Sequence, residues 1–163
     1  MMGLIAMPIP LAEANEIYAS HHRHSKPVRF HLFSIGALLD FRIVGACSVM
    51  RPACQHTVGG EWVCEVSRLC VIGQHRNVSS FLLSRASKAA FAMGYLSIQT
   101  YTLTTESGSS LRGAGWGAVA KVPGRSWDRA GREKPSGVTP RPRIRWQKQN
   151  PEMVKYYSTM GVG

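Results

Sequence analysis

The chain has 163 residues, 44% of them apolar and 18% charged, an ordinary balance for one globular domain large enough to bury a core. Lys and Arg number 20 against nine Asp and Glu, a formal charge of +11, which points to an anionic partner. No apolar run reaches the roughly 18 residues of a membrane span, so no spanning helix is expected, and no membrane partner is expected either.

The N-terminal MMGLIAMPIPL lacks a basic start and a small-residue cleavage site, so residues 3–8 are read as a strand and not a signal peptide. After Pro10, LAEANEIYASHH repeats Leu11, Ala14 and Ile17/Tyr18 at helical spacing, with Glu13 and Glu16 in the early turns. Pro27 ends any continuation. FHLFSIGALL and RIVGACSVM, joined at Asp40, predict an antiparallel hairpin, and 51–61 a loop. EVSRLCVI then predicts a strand, GQHRN a tight turn, VSSFLLSRASKAAFAM a helix, YLSIQTYTL a second strand and ESGSSLRGAGW a short amphipathic helix. GAVAKVPG, followed by RSW, is expected to add one or two edge strands. Beyond residue 128 periodicity fades, and 128–163 is expected to be mostly irregular. The fold class is therefore α/β with a mixed sheet: antiparallel strands first, then a parallel βαβ crossover over 65–103. The division is a domain over 1–127 and a basic, Pro/Arg-rich C-terminal extension over 128–163, without internal repeats.

Cys47, Cys54, Cys64 and Cys70 form no CxxC pair, and three of them lie in apolar runs; buried free thiols in a reducing cytoplasm are expected, with a zinc site or a catalytic thiol as the alternatives. The charge is uneven: residues 1–120 carry ten Lys/Arg against six Asp/Glu, and 121–163 ten against three. The C-terminal run mixes Arg and Lys with Trp127 and Trp146. Arg supplies phosphate contacts and Trp can stack on a base, so nucleic acid is an expected partner. A surface for an acidic protein, or a solvated tail, stays open, as does the oligomeric state, a homodimer included.

Four groups of residues carry chemistry. At Gly73-Gln74-His75-Arg76-Asn77, a strand runs into a helix whose first N–H groups and dipole favour a phosphate, Gly73 permits an unusual φ, and Arg76 adds a cation. Asn77 or Ser79 is the expected cap. Four of the six histidines, His21, His22, His24 and His31, fall within eleven residues: a polar loop lining a site, surface histidines or a metal set. Glu65, a scarce carboxylate in an apolar strand, is read as a general base or a structural ion pair. By alternation it shares a face with Ser67 and not with Arg68. Glu106, Ser107, Ser109 and Ser110 read as a cap for the short helix, with Tyr101 and Thr102 before it.

This order of elements, with the turn at 73–79 and a closing helix ending in Gly115-Trp116, resembles the GNAT superfamily of N-acyltransferases over about residues 3–127. More narrowly, HHRHSKP, FSIG, RIVG, EVSRL, TYTL and ESGSSLRGAGW resemble GNAT-like proteins of phages and mobile elements. A more distant likeness to the Mom DNA-modification protein runs through the Glu-x-x-Arg strand, the Asn-x-Ser turn and the small-Gly-Trp ending. The resemblance implies acetyl-CoA or another acyl donor held by Leu69, Cys70, Val71, Gly73, His75, Arg76, Asn77, Val78 and Ser79, with the oxyanion on backbone N–H groups near Leu69–Val71. It implies Glu65 with His22 and His24 as the amine's base. The family's tyrosine acid falls near Arg112, so Tyr101, Ser107 or Ser110 takes that role. Arg23, Lys26, Ser34, Arg68, Arg112, Trp116, Trp127, Arg143 and Arg145 are the implied acceptor contacts, with DNA the implied acceptor and no resident metal. The alternatives are a protein acceptor, in action against a host defence system, and a nucleic-acid-binding module without catalysis.

Overall fold

The computed structural model describes residues 3–21, 26–52, 60–124 and 141–160. In chain order these form β1 (Ile5–Pro8), α1 (Leu11–His21), β2 (Phe33–Leu39), β3 (Arg42–Met50), β4 (Val63–Val71), α2 (Val78–Ala92), β5 (Ser97–Leu103), α3 (Ser109–Gly113), β6 (Gly117–Val122), β7 (Arg143–Gln149) and α4 (Pro151–Thr159). The first nine elements follow the order read from the sequence. The β2–β3 hairpin turns on Asp40 and Phe41, both at positive φ (47° and 63°), the two-residue geometry that matches strand twist.

One seven-stranded sheet runs in the order β1-β2-β3-β4-β5-β7-β6. Only β4 and β5 pair in parallel; every other neighbouring pair is antiparallel. The tail is the main correction. Residues 143–149, expected to be irregular, form β7, which lies between β5 and β6 and pairs with both. Arg143, Arg145, Gln147 and Gln149 alternate with Ile144 and Trp146, a strand pattern that the surrounding Arg and Pro residues hide. Trp146, expected as a stacking residue, is 2% exposed and packed in the core.

The α2 side of the sheet buries Val44, Cys47, Val49, Cys64, Val66 and Ile98 against Val78, Leu82, Leu83, Ala86 and Ala90, with α3 contributing Leu111 and Ala114. Gly45 makes this approach possible: a Cβ there would lie 2.9 Å from both Val78 Cγ1 and the Cys70 carbonyl. On the opposite side Ala14 and Tyr18 of α1 pack on Ala46 and Cys70 with Ile9 and Val28. Burial of this kind contributes about 25 cal/mol per Å² of apolar surface. Cys47, Cys64 and Cys70 are free and buried, as expected; Cys54 lies outside the described residues. Among the described residues, no helix is long and apolar enough to cross a membrane.

Candidate active site

β4 and β5 lie side by side only over Val63↔Ser97, Cys64↔Ile98 and Glu65↔Gln99. Just beyond, the Val66 carbonyl accepts a bond from the Thr100 hydroxyl (2.9 Å) in place of a strand neighbour. β4 continues to Val71 and β5 to Leu103, so a wedge opens between them. Which β4 groups face it follows from the other edge. Ile72 N–H donates to Val44 C=O (2.9 Å), and the antiparallel register continues as Gly45↔Val71, Ala46↔Cys70 and Cys47↔Leu69. Hydrogen-bonded pairs alternate along such a ladder, so Cys70 points its backbone groups at β3 while the N–H groups of Leu69 and Val71 point into the wedge. Cys70 is thereby removed from the donor contacts: its side chain is 4% exposed and packs beneath α1.

At the open end of the wedge the turn brings Gly73 (φ +70°) and Asn77 (φ 66°) into left-handed conformations, and α2 starts immediately after. Asn77 occupies the cap position, but its side chain makes no cap hydrogen bond, contrary to expectation. A capping side chain needs an extended backbone at that residue, which the left-handed φ denies. Nor does α2 carry an acidic residue in its first turn, so the dipole's positive end is left uncompensated. An open groove of about 320 Å³ lies here, lined by His75, Asn77, Ser79, Ser80, Ser109, Ser110 and Gly113. The structure thus joins the predicted turn to Ser110, although Ser79 and Ser110 lie 31 positions apart in the chain. Arg76 is exposed on the same turn, and Val78 is buried beneath it in the core.

Glu65 is 8% exposed and its Oε2 accepts a bond from Gln99 Nε2 (3.0 Å). Cys64, Val66 and Ile98 face α2, so Glu65, Gln99 and Tyr101 face the other side. Arg68 joins them, which overturns the alternation reading. The β3 register passes from Val49↔Val66 to Ser48↔Arg68, leaving Ser67 as an extra residue. Such a bulge shifts the alternation by one, and Arg68 lies over the Tyr18 ring at 5.8 Å. Tyr101 pairs in register with Arg145, and Leu103 with Arg143. Ser110 lines the groove and Ser107 bonds to Ser109 beside it, so of the three leaving-group candidates Tyr101 is the one placed on Glu65's face.

Other expected contacts are placed elsewhere. Trp116 is 3% exposed and belongs to the core, so it offers no face to a base. Arg112 lies over the Trp146 ring at 5.4 Å and donates to the Ser107 carbonyl. Ser34 is buried between His31 and Ser48, and Lys26 is exposed beyond α1. Glu106 does not cap α3: it accepts the Leu103 N–H (2.7 Å) and closes the preceding turn. His31 is separated from His21 at the end of α1; His22, Arg23, His24 and Trp127 lie outside the described residues. Among the described residues no group of three His, Cys, Asp or Glu is placed to hold a metal. The sequence reading missed Gln99. The signal for Gln99 was a polar residue inside the apolar strand SIQTYTL.

No protein-family model matches the chain, and no curated protein matches it in sequence. Its fold is nonetheless that of solved acetyltransferases. An N-acetyltransferase from Staphylococcus aureus Mu50 superposes with a TM-score of 0.66 at 10% identity, over 91% of this chain and 99% of that one. A Bacillus subtilis acetyltransferase in complex with CoA gives 0.66 at 15% identity, over 90% and 99%. A GNAT-family acetyltransferase from Streptococcus pneumoniae gives 0.62 at 11%, over 90% and 99%. At these identities the likeness is one of fold.

Proposed function

We propose that the chain is a GNAT-type N-acyltransferase, passing an acyl group from an acyl-CoA thioester to an amine. The observation that carries this reading is the wedge between β4 and β5, with the Leu69 and Val71 N–H groups facing it and an uncapped helix N-terminus at its open end. These residues fit an acyl-CoA. The unpaired strand edge offers backbone partners to an extended amide-bearing arm, and Gly73, His75, Arg76, Asn77 and Ser79 offer N–H groups, hydroxyls and a cation to a pyrophosphate. The CoA-bound Bacillus subtilis structure supports the same donor.

When bound, the donor supplies an acyl carbon activated as a thioester. Glu65 takes a proton from the incoming amine, held for this by Gln99. The N–H groups of Leu69 and Val71, which point into the wedge, would hold the oxygen of an acyl group bound there. Tyr101, on Glu65's face, would donate its own hydroxyl proton to a thiolate leaving there and regain one from solvent, while Glu65 releases the proton taken from the amine.

The acceptor reading is DNA, as a nucleobase amine, on the strength of the +11 charge and the sequence likeness to phage GNAT-like and Mom proteins. A reducing cytoplasm fits the three buried free thiols.

Thermal melting with acetyl-CoA and with DNA separately tests the donor. A rise with acetyl-CoA that Arg76→Glu abolishes supports the enzyme. Silence toward CoA, with steeply salt-dependent DNA binding, replaces it by a non-catalytic module. Glu65→Gln keeps the bond to Gln99 and is expected to retain fold and donor binding but lose transfer by 100-fold or more, roughly the share of one general base; full activity in that variant sinks the assignment. Mass spectrometry of nucleosides and of total protein from expressing cells separates a DNA acceptor from a protein one.

A further inference from the structure

The face of β4, β5 and β7 turned away from α2, which carries Glu65, also carries Arg68 and Arg145. Arg68 reaches it through the extra residue at Ser67 and lies on the Tyr18 ring at 5.8 Å, within range of a cation–π contact. Tyr18 is wholly buried and is held by three short hydrogen bonds in series: its hydroxyl to Ser48 Oγ (2.7 Å), Ser48 Oγ to Ser34 Oγ (2.7 Å), and Ser34 Oγ to His31 Nδ1 (2.8 Å). Ser48 is wholly buried and Ser34 is 2% exposed, so the chain is shielded from competing water along most of its length. Burial pushes the Tyr18 hydroxyl well above its ordinary range, and it remains neutral beside the Cys47 and Cys70 thiols and the Arg68 cation. The ring is thus a fixed platform that holds Arg68 in one place.

Arg145 stands on the same face, opposite Tyr101. Its Nε is buried and has no hydrogen-bond partner among the described residues. A buried donor left without an acceptor is destabilising, more so when it is charged, and an arriving oxyanion removes that cost. Lys26 and Arg29 are exposed on either side of Val28, which packs on the same cluster as Tyr18 and Cys70.

We propose that this face binds an acceptor that carries an oxyanion, a phosphate or a carboxylate, in addition to its amine, and that Arg68 on its Tyr18 platform and Arg145 are the anion contacts. This rests on the acyl-transfer reading and adds the chemistry of the acceptor. Arg68 and Arg145 are binding residues; Tyr18, Ser48, Ser34 and His31 act through Arg68 as positioning residues.

The first test needs no turnover. Inorganic phosphate is titrated into the donor-free protein while the arginine Nε–H signals are followed by NMR. The Arg68 and Arg145 signals are expected to shift together and saturate. Arg68→Gln should weaken the titration about 10- to 100-fold, and Arg68→Lys should recover part of it. An unchanged titration in both Arg68→Gln and Arg145→Gln, with the fold verified by circular dichroism, overturns the proposal. The second test compares KM for deoxynucleoside monophosphates against nucleosides, and for amino acids against their amides. A KM advantage for the charged member that Arg68→Gln removes, and that Tyr18→Phe reduces with kcat unchanged, supports the site. The pair showing the advantage identifies phosphate or carboxylate. Equal KM within both pairs counts against the proposal. Absence of transfer to every acceptor refutes the acyltransferase reading, and the phosphate titration then decides the anion site alone.

Discussion

Ser67 and Gly108 each decide more than their own position. Ser67 is the extra residue that turns Arg68 from the apolar α2 side toward Tyr18. Gly108, at φ +65°, lies so close to Trp146 that an added Cβ would meet the indole at 2.3 Å. Gly108→Ala therefore forces a left-handed alanine and displaces a buried tryptophan. A loss of about 3 kcal/mol is expected, read as a lower denaturation midpoint and an altered tryptophan signal. The buried thiols make a second prediction at this scale. Burial pushes Cys47 and Cys64 up to about 12 from an ordinary value near 9. In the unfolded chain they ionise first, so their stabilising effect is complete below about pH 9 and is lost between there and about pH 12. Chemical denaturation across pH 7–11 should show stability flat on this account to about pH 9 and falling above, a fall that Cys47→Ala reduces.

At the scale of elements, α2 is shaped by what its N-terminus leaves unsatisfied. Its left-handed Asn77 makes no side-chain cap, and its first turn holds no carboxylate. Asn77→Asp, which tolerates the same φ, places a negative charge at the dipole's positive end. The free protein should gain about 0.5 kcal/mol. Acetyl-CoA should bind more weakly by calorimetry, because the new charge competes with the donor's phosphates. Equal or tighter acetyl-CoA binding would argue against this end of α2 as the pyrophosphate site. The helices were legible because apolar residues recur at 3.6-residue spacing in LAEANEIYASH and VSSFLLSRASKAAFA. The absent cap was not, since Asn is a good cap in sequence and only backbone geometry disqualifies it here.

Taken as a whole, the sheet is completed by the part of the chain that looked least structured. β7 is the neighbour of both β5 and β6, and Asn150, just after it, donates to the Tyr95 carbonyl (3.1 Å) at the end of α2. A chain ending at residue 127 would expose the β5 edge and leave β6 without the strand it pairs with. Such a chain is expected to be unfolded or aggregated by circular dichroism and light scattering, whereas removal of 161–163 should leave the fold and melting temperature unchanged.

Periodicity, turn residues and charge, all local in the chain, determined by themselves the order of the first nine elements, the phosphate-friendly turn at 73–79, the isolated carboxylate at Glu65 and the basic balance. Only the tertiary structure decided the parity of Arg68, the burial of Trp116 and Trp146, the pairing of Glu65 with Gln99, the meeting of Ser79 with Ser110 and the place of β7. Each of these depends on strand register or on contacts between distant segments. One inserted residue reverses a face, and an Arg-rich run becomes an inner strand only because β5 and β6 leave it a place to pair.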